Sequence, residues 1–302
     1  MTEPAPPPSA SHSSQNLWIA AMPAAFVFLW STGFIGAKFG MPYAEPFTFL
    51  SLRFVIVIGL MLILCLVTRA PWPKDAKAIF HIAIAGALVN GVYLSGVFSS
   101  VKVGLPVGLS ALITGLQPVL TAIFARHLLG ETVSSKQWMG ILIGFIGVVL
   151  VVFNKIHGPE SNILGISLAT IALLGITAGT LYQKKYCSTM NLRSGSVIQF
   201  SSSLIIVSLL AGSLETREIQ WSGEFIFAIL WLVIVLSVGA ISLLSMLIRR
   251  GAASKVASLF YLVPPVTALM SFFVFDETLG PLELVGMAAV VVGVAMVTRE
   301  KA

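Results

Sequence analysis

Charge is scarce in this chain. Lys and Arg number 18 and Asp and Glu 12, together only 10% of 302 residues, against about 25% in soluble domains. With 57% hydrophobic residues and a mean hydropathy of +0.97, the sequence cannot hide its apolar surface in water. A single soluble globule and a disordered chain are both excluded. Cysteine is nearly absent: Cys65 and Cys187 cannot make a disulfide framework, and Cys65 lies deep in an apolar run, away from redox work. Metal and nucleophile signatures are missing too. There is no His-Glu-x-x-His helix, no Cys pair at metal spacing and no Gly-x-Ser-x-Gly turn, so neither an enzyme nor a cofactor is expected. No Walker-type loop is present, which excludes ATP-driven pumping within this chain. The net charge of +6 would suggest nucleic acid in a soluble protein. Here the cations lie in short loops between apolar runs, so nucleic acid is not an expected partner; the lipid bilayer is.

Ten apolar segments can be marked, roughly at 17–36, 46–67, 78–98, 104–125, 135–153, 162–183, 194–213, 224–246, 252–275 and 281–298. Each is near the ~20 residues that cross a hydrocarbon core as a helix. Helices are expected because lipid satisfies no backbone polar group. The runs are too long for barrel strands of about ten residues. Residues 1–16, rich in Pro and Ser and free of Lys and Arg, read as a disordered cytoplasmic tail without the basic start of a signal peptide. With the N-terminus inside, thirteen Lys and Arg fall in cytoplasmic loops or at the C-terminus and four outside, with Arg53 left within a helix. That bias predicts a multi-pass protein of the cytoplasmic (inner) membrane with both termini in the cytoplasm.

The chain also matches itself at an offset of 146 residues. Ala111, Leu116, Pro118, Thr121, Ala122, Glu131, Thr132, Gly140, Gly147 and Val148 fall on Ala257, Leu262, Pro264, Thr267, Ala268, Glu277, Thr278, Gly286, Gly293 and Val294. Apolar runs share Leu and Val by chance, but not a proline, a Glu-Thr pair and two glycines in one register. The expected organisation is a first five-helix repeat at 17–153, a linker at 154–161, a second repeat at 162–298 and a C-terminus at 299–302. Five spans per repeat is odd, so the second half enters the membrane from the opposite side. Such inverted repeats recur among membrane transporters.

Several of these residues carry a family resemblance. Trp30-Ser31-Thr32-Gly33-Phe34 with Lys38, Leu52-Arg53-Phe54, and the paired Pro118…Glu131 and Pro264…Glu277 resemble the signatures of the EamA family of the drug/metabolite transporter superfamily. The second half departs from them, with Ile176 where the first has Trp30 and Gln199 where it has Arg53. The resemblance implies an all-α integral membrane fold of ten helices in two inverted repeats. It also implies a secondary transporter of amino acids or related small metabolites, often an exporter. Helices one, three, four, six, eight and nine would line a central cavity, and five and ten would be peripheral. A structural or assembly subunit without transport is the alternative.

Polar residues inside apolar helices are the candidates for contact with a small-molecule substrate. Arg53 sits roughly 10 Å into the second helix at 1.5 Å per residue. It either snorkels toward the outer loop, with Glu45 as partner, or stands near the permeation path. Asn90 and Tyr93 share one face of helix three, as solute contacts or as interhelical glue. Ser110, Thr114 and Gln117 make an i, i+4, i+7 stripe on helix four, facing the cavity or bonding back to the backbone. Tyr261 precedes Pro264 and Pro265, which free carbonyls for a solute or simply kink the helix, as Pro118 does in helix four. Trp30 lines the outer cavity or anchors at the interface. Tyr182 and Gln183 read as interfacial anchors of helix six. Gly140, Gly144 and Gly147 form a small-residue face suited to internal packing or to a homodimer. Glu131 and Glu277 are expected to cap helices five and ten or pair with loop cations. No carboxylate lies mid-span, so proton coupling has no support in the sequence; facilitated diffusion, exchange, or coupling through either Glu stays open.

The assigned orientation has a direct check. Single cysteines placed in the 69–77 loop of a variant lacking Cys65 and Cys187 should react with an impermeant maleimide only from the cytoplasmic side; labelling from outside would reverse the topology.

Overall fold

The computed structural model describes residues 10–105, 107–156, 163–251, 253–275 and 280–299. Among them the chain forms ten helical spans: α1 (Ala10–Gly40), α2 (Pro46–Val67), α3 (Ala76–Lys102), α4 (107–129), α5 (Ser135–Ile156), α6 (Ile163–Tyr186), α7 (Leu192–Leu214), α8 (Gly223–Arg250), α9 (253–275) and α10 (Pro281–Arg299). The first begins at Ala10, inside the stretch expected to be tail; residues 1–9 lie outside the described residues. Local signals set the ends. Pro46 opens α2 with its φ already helical, Asp75 accepts from the Lys77 amide ahead of α3, and Ser222 accepts from the Phe225 amide ahead of α8. Gly130, at φ 69°, closes α4 in the left-handed conformation that glycine adopts without strain.

Polarity is inside out relative to a soluble protein. Ile63, Leu66, Ile163, Leu209 and Phe273 are exposed, whereas Arg53, Asn90, Gln117, Gln183 and Gln199 are buried. That distribution suits a surface in lipid and an interior where polar groups meet one another.

Helix contacts follow the duplication. α1 packs on α8 and α9, and its repeat mate α6 packs on α3 and α4. α2 packs on α7, and α5 on α10. Exchanging the halves maps the α1 contacts onto those of α6, and the α2–α7 and α5–α10 pairs onto themselves. The glycines show the same exchange at atomic scale. A Cβ on Gly140 would lie 2.7 Å from the Gly293 carbonyl oxygen, and one on Gly147 would lie 2.7 Å from that of Gly286. Gly286 and Gly293 are the repeat mates of Gly140 and Gly147, so the two contacts interchange under the pseudo-two-fold. The α5 glycine face is therefore covered by α10, and a homodimer would have to use another surface.

Irregular backbone is also duplicated. α3 widens into a π-helix at Ala87–Val92 and α8 at Leu232–Ala240; shifted by one repeat, the first falls on 233–238. α4 breaks into a turn at Gly115 and Leu116, and α9 tightens to a 3-10 segment at Leu259–Leu262, again one repeat apart. Such breaks are tolerated at membrane depth only where protein or a cavity surrounds them.

One rim holds a reciprocal clasp between the halves. Glu215, which ends α7, accepts from the Phe47 and Thr48 amides at 2.7 and 2.6 Å and from the Thr48 hydroxyl at 2.7 Å, so it caps α2 from across the interface. Glu45, the residue preceding α2, accepts from the Thr216 amide at 2.7 Å and its hydroxyl at 2.9 Å. The Thr216 hydroxyl holds the Glu45 carboxyl below its ordinary value of 4.5. A lowered folded-state pKa means this bond contributes fully at neutral pH and is lost only as pH falls through the lowered value. At the opposite rim the repeat mate of Glu45 is Asn191, which caps its own helix through the Arg193 and Ser194 amides.

Two stability outcomes follow. Gly147→Leu should lower stability by about 1–3 kcal/mol, because its Cβ meets α10 backbone. Glu215→Ala should remove about 1–2 kcal/mol by uncapping α2. Thermal unfolding in detergent measures both; wild-type melting temperatures would contradict the α5–α10 and α2–α7 contacts.

Candidate functional site

The helices with irregular backbone surround the centre of the bundle. Trp30 on α1 and Tyr93 on α3 meet there: the indole N–H donates to the Tyr93 hydroxyl at 3.2 Å, and the rings stack at 6.0 Å. Phe260, in the 3-10 turn of α9, packs edge-on against Trp30 at 5.1 Å, and Phe26 touches both. Two small cavities flank the Trp30–Tyr93 pair. One, of about 20 Å³, runs along Phe34, Val97, Phe98 and Leu236; the other, of about 10 Å³, is bounded by Thr114, Gly115, Phe260 and Pro264. Each has room for about one water. Neither recess holds a metabolite unless the helices that line it separate. Wider recesses of about 270 and 350 Å³ open at the α2–α3 rim, beside Trp72 and Tyr186 and beside Arg126 and Trp138.

The candidate residues sort unevenly. Trp30, Tyr93 and Thr114 come together at the centre, and Pro264 lines the same cavity while Pro265 is buried behind it. The Thr114 hydroxyl also bonds back to the Ser110 and Ala111 carbonyls, at 3.0 and 3.1 Å. Ser110 pairs with Ser100 of α3 at 3.0 Å. Gln117 donates to Thr180 of α6 at 3.3 Å, with its carbonyl oxygen unpaired among the described residues; Pro118 is buried beside it. Asn90 is fully buried, and neither end of its amide has a partner among the described residues. Tyr261 does not line the cavities: its ring lies against the open face of Gly144, which belongs to α5, and the neighbouring Phe260 takes the cavity position.

Arg53 corrects an expectation. It neither snorkels nor pairs with Glu45, which lies eight residues earlier, roughly 12 Å along the axis, and is engaged by Thr216. The side chain is fully buried, and Nε donates to Ser237 Oγ in the π segment of α8 at 2.9 Å. Ser237 Oγ in turn donates to the Leu232 carbonyl at 3.1 Å, the π-helical i−5 spacing. Nη1 and Nη2 have no partner among the described residues, and no Asp or Glu is buried among them.

Three further residues can be placed. Gln183 is no interfacial anchor: it is buried and donates to Ser245 at 3.0 Å. Tyr182 bonds His81 Nδ1 at 2.6 Å, in a stack with Tyr186. Capping of α5 falls to Ser134 and Gln137, which exchange amide-to-side-chain bonds at 3.0 and 3.2 Å, a capping box; Glu131 follows the end of α4, and Glu277 lies outside the described residues. Burial pushes the Cys187 thiol up to about 11, so it is unreactive at neutral pH.

Comparison with known proteins places the chain. The model of the EamA-like transporter family matches it twice, at 17–153 and 163–299, in the register of the internal duplication. An uncharacterized transporter of Bacillus subtilis, YvbV, is 29% identical over 290 residues, covering 94% of this chain and 92% of its own. The uncharacterized inner membrane transporter YedA of Escherichia coli is 24% identical over 279 residues, with 92% and 89% covered. An E. coli protein named as a probable amino-acid metabolite efflux pump is 24% identical over 276 residues, with 88% and 90% covered. A solved crystal structure shares the fold with a TM-score of 0.75 at 19% identity, covering 92% of this chain and 96% of its own. With two family matches spanning nearly its whole length and a bundle that buries polar side chains inside an apolar surface, this multi-pass membrane protein belongs to the EamA-like transporter family.

Proposed function

We propose that the chain is a secondary carrier that exports an amino acid or related small metabolite by alternating access. Its two halves rock about the Trp30–Tyr93–Phe260 cluster. The observation that supports this reading most is the coincidence of three features at one place. The pseudo-two-fold passes between the halves, all four irregular segments flank it, and an aromatic cluster with two small recesses lies there. Helices that carry π and 3-10 turns hold weaker backbone ladders than regular helices. They are the segments best able to shift when a solute replaces aromatic contacts.

In this reading Trp30, Tyr93, Thr114 and Phe260 contact the solute, and Asn90 and Gln117 supply amide groups as the cavity widens. The Glu45–Glu215 clasp and the α2–α3 rim are alternately tightened and released. The Lys and Arg distribution favours a cytoplasmic α2–α3 rim and cytoplasmic termini. Export is favoured by the name of the E. coli efflux relative.

Counterflow in liposomes tests the proposal. Wild-type protein should exchange at least one labelled amino acid from a panel of twenty. Trp30→Ala and Tyr93→Ala should each slow that exchange by about tenfold or more, the equivalent of ~1.4 kcal/mol, without loss of folded protein. Unchanged exchange in both variants would remove the site, and a panel with no exchanged member would remove the amino-acid assignment.

A further inference from the structure

The most unusual group in the bundle is the Arg53 guanidinium. It is fully buried, one of its three nitrogens is bonded, and the two Nη groups have no partner among the described residues. Arginine stays protonated, and an uncompensated buried charge is strongly destabilising. The second half shows a neutral arrangement at the equivalent place. The repeat mate of Arg53 is Gln199, whose Nε2 donates to Gln183 Oε1 at 3.2 Å, while Gln183 Nε2 donates to Ser245 at 3.0 Å. One half closes its polar network with neutral amides; the other leaves a planar cationic fork open.

We propose that the two free Nη groups of Arg53 form a subsite for a carboxylate, so that the solutes of this carrier are monocarboxylates or zwitterions rather than amines, sugars or neutral drugs. The inference rests on the carrier reading and deepens it. Two parallel N–H donors match the two oxygens of a carboxylate. Arg53 is anchored next to the cavity that Tyr93 and Leu236 line. Its Nε tether is Ser237, beside the cavity-lining Leu236. Movement of the α8 π segment would therefore turn the fork toward the solute. Phosphate could use the same donors. The choice of carboxylate follows from charge: Arg53 is a single buried cation, enough to neutralise a monoanion but not a dianion.

The test is ligand-induced thermal stabilisation of the purified full chain, since a compound that binds the native state raises its melting temperature with concentration. The probes are matched pairs that differ only at the carboxyl group, such as L-phenylalanine with L-phenylalaninamide and L-leucine with L-leucinamide, together with inorganic phosphate. On wild-type protein at least one acid should bind about tenfold or more tighter than its amide, and phosphate more weakly than that acid. R53K keeps the charge but loses the fork; it should retain the unliganded melting temperature within a few degrees and bind acid and amide alike. Equal binding of acids and amides by wild type, no stabilisation by any carboxylate, stronger binding of phosphate, or an undiminished acid preference in R53K would each overturn the proposal. The wild-type comparison needs no variant, so a misfolded R53K does not rescue it. Equal binding of acid and amide alongside active counterflow would remove the role of Arg53 and leave the carrier standing; absence of counterflow is the separate failure of the carrier reading.

Discussion

Hydrocarbon satisfies no backbone N–H or C=O, and this constraint governs how the molecule is built. The peripheral pair α5 and α10 consists of unbroken helices, joined through glycine faces. Departures from α-helix within the spans are confined, among the described residues, to α3, α4, α8 and α9. There neighbouring helices and small cavities, rather than lipid, receive the disturbed backbone. The interior is thus the one place where the chain can hold deformable segments and polar side chains together. A carrier needs both in one place.

Duplication then supplies two such deformable sets of opposite polarity. The α3 and α8 π segments and the α4 and α9 breaks are related by the repeat, and so are the α5–α10 glycine contacts. Side-chain chemistry has drifted apart over that common frame. Glu45 and Glu215 clasp one rim, while Asn191 caps only its own helix at the other. Arg53 faces a serine where Gln199 joins an amide chain. Common backbone irregularities with divergent polar groups are what a two-state carrier with distinct inside and outside conditions would retain.

Much of this was legible in the sequence. Ten apolar runs, the 146-residue register and the paired Pro…Glu pattern led directly to ten helices in two inverted repeats, because lipid leaves few alternatives. Trp30, Tyr93 and Thr114 were recognisable because aromatic or hydroxylated residues stand out within aliphatic runs. Other features were not legible. Phe34, Phe98, Phe260 and Leu236 line the cavities, but apolar residues look the same whether they pack against helices or a solute. Glu45 is the nearest acid to Arg53 in sequence, but the partner in the fold, Ser237, lies on a helix whose azimuth no periodicity reveals. The same ignorance of rotation hid the turn of Tyr261 toward α5 and the inward course of Gln183. The Ser134–Gln137 capping box is visible as a motif, but the nearby Glu131 is an equally plausible cap by charge alone.

The claim that most needs measurement is that the arrangement of the halves seen here is one of two states reached by their opposed motion. Spin labels at positions 102 and 224 mark α3 and α8 at one rim; labels at 77 and 250 mark the same helices at the other. All four positions are exposed. Double electron–electron resonance in nanodiscs should give two distance populations at each rim. The account predicts that conditions lengthening one pair shorten the other. A single fixed distance at both rims, in protein that carries out counterflow, would contradict it.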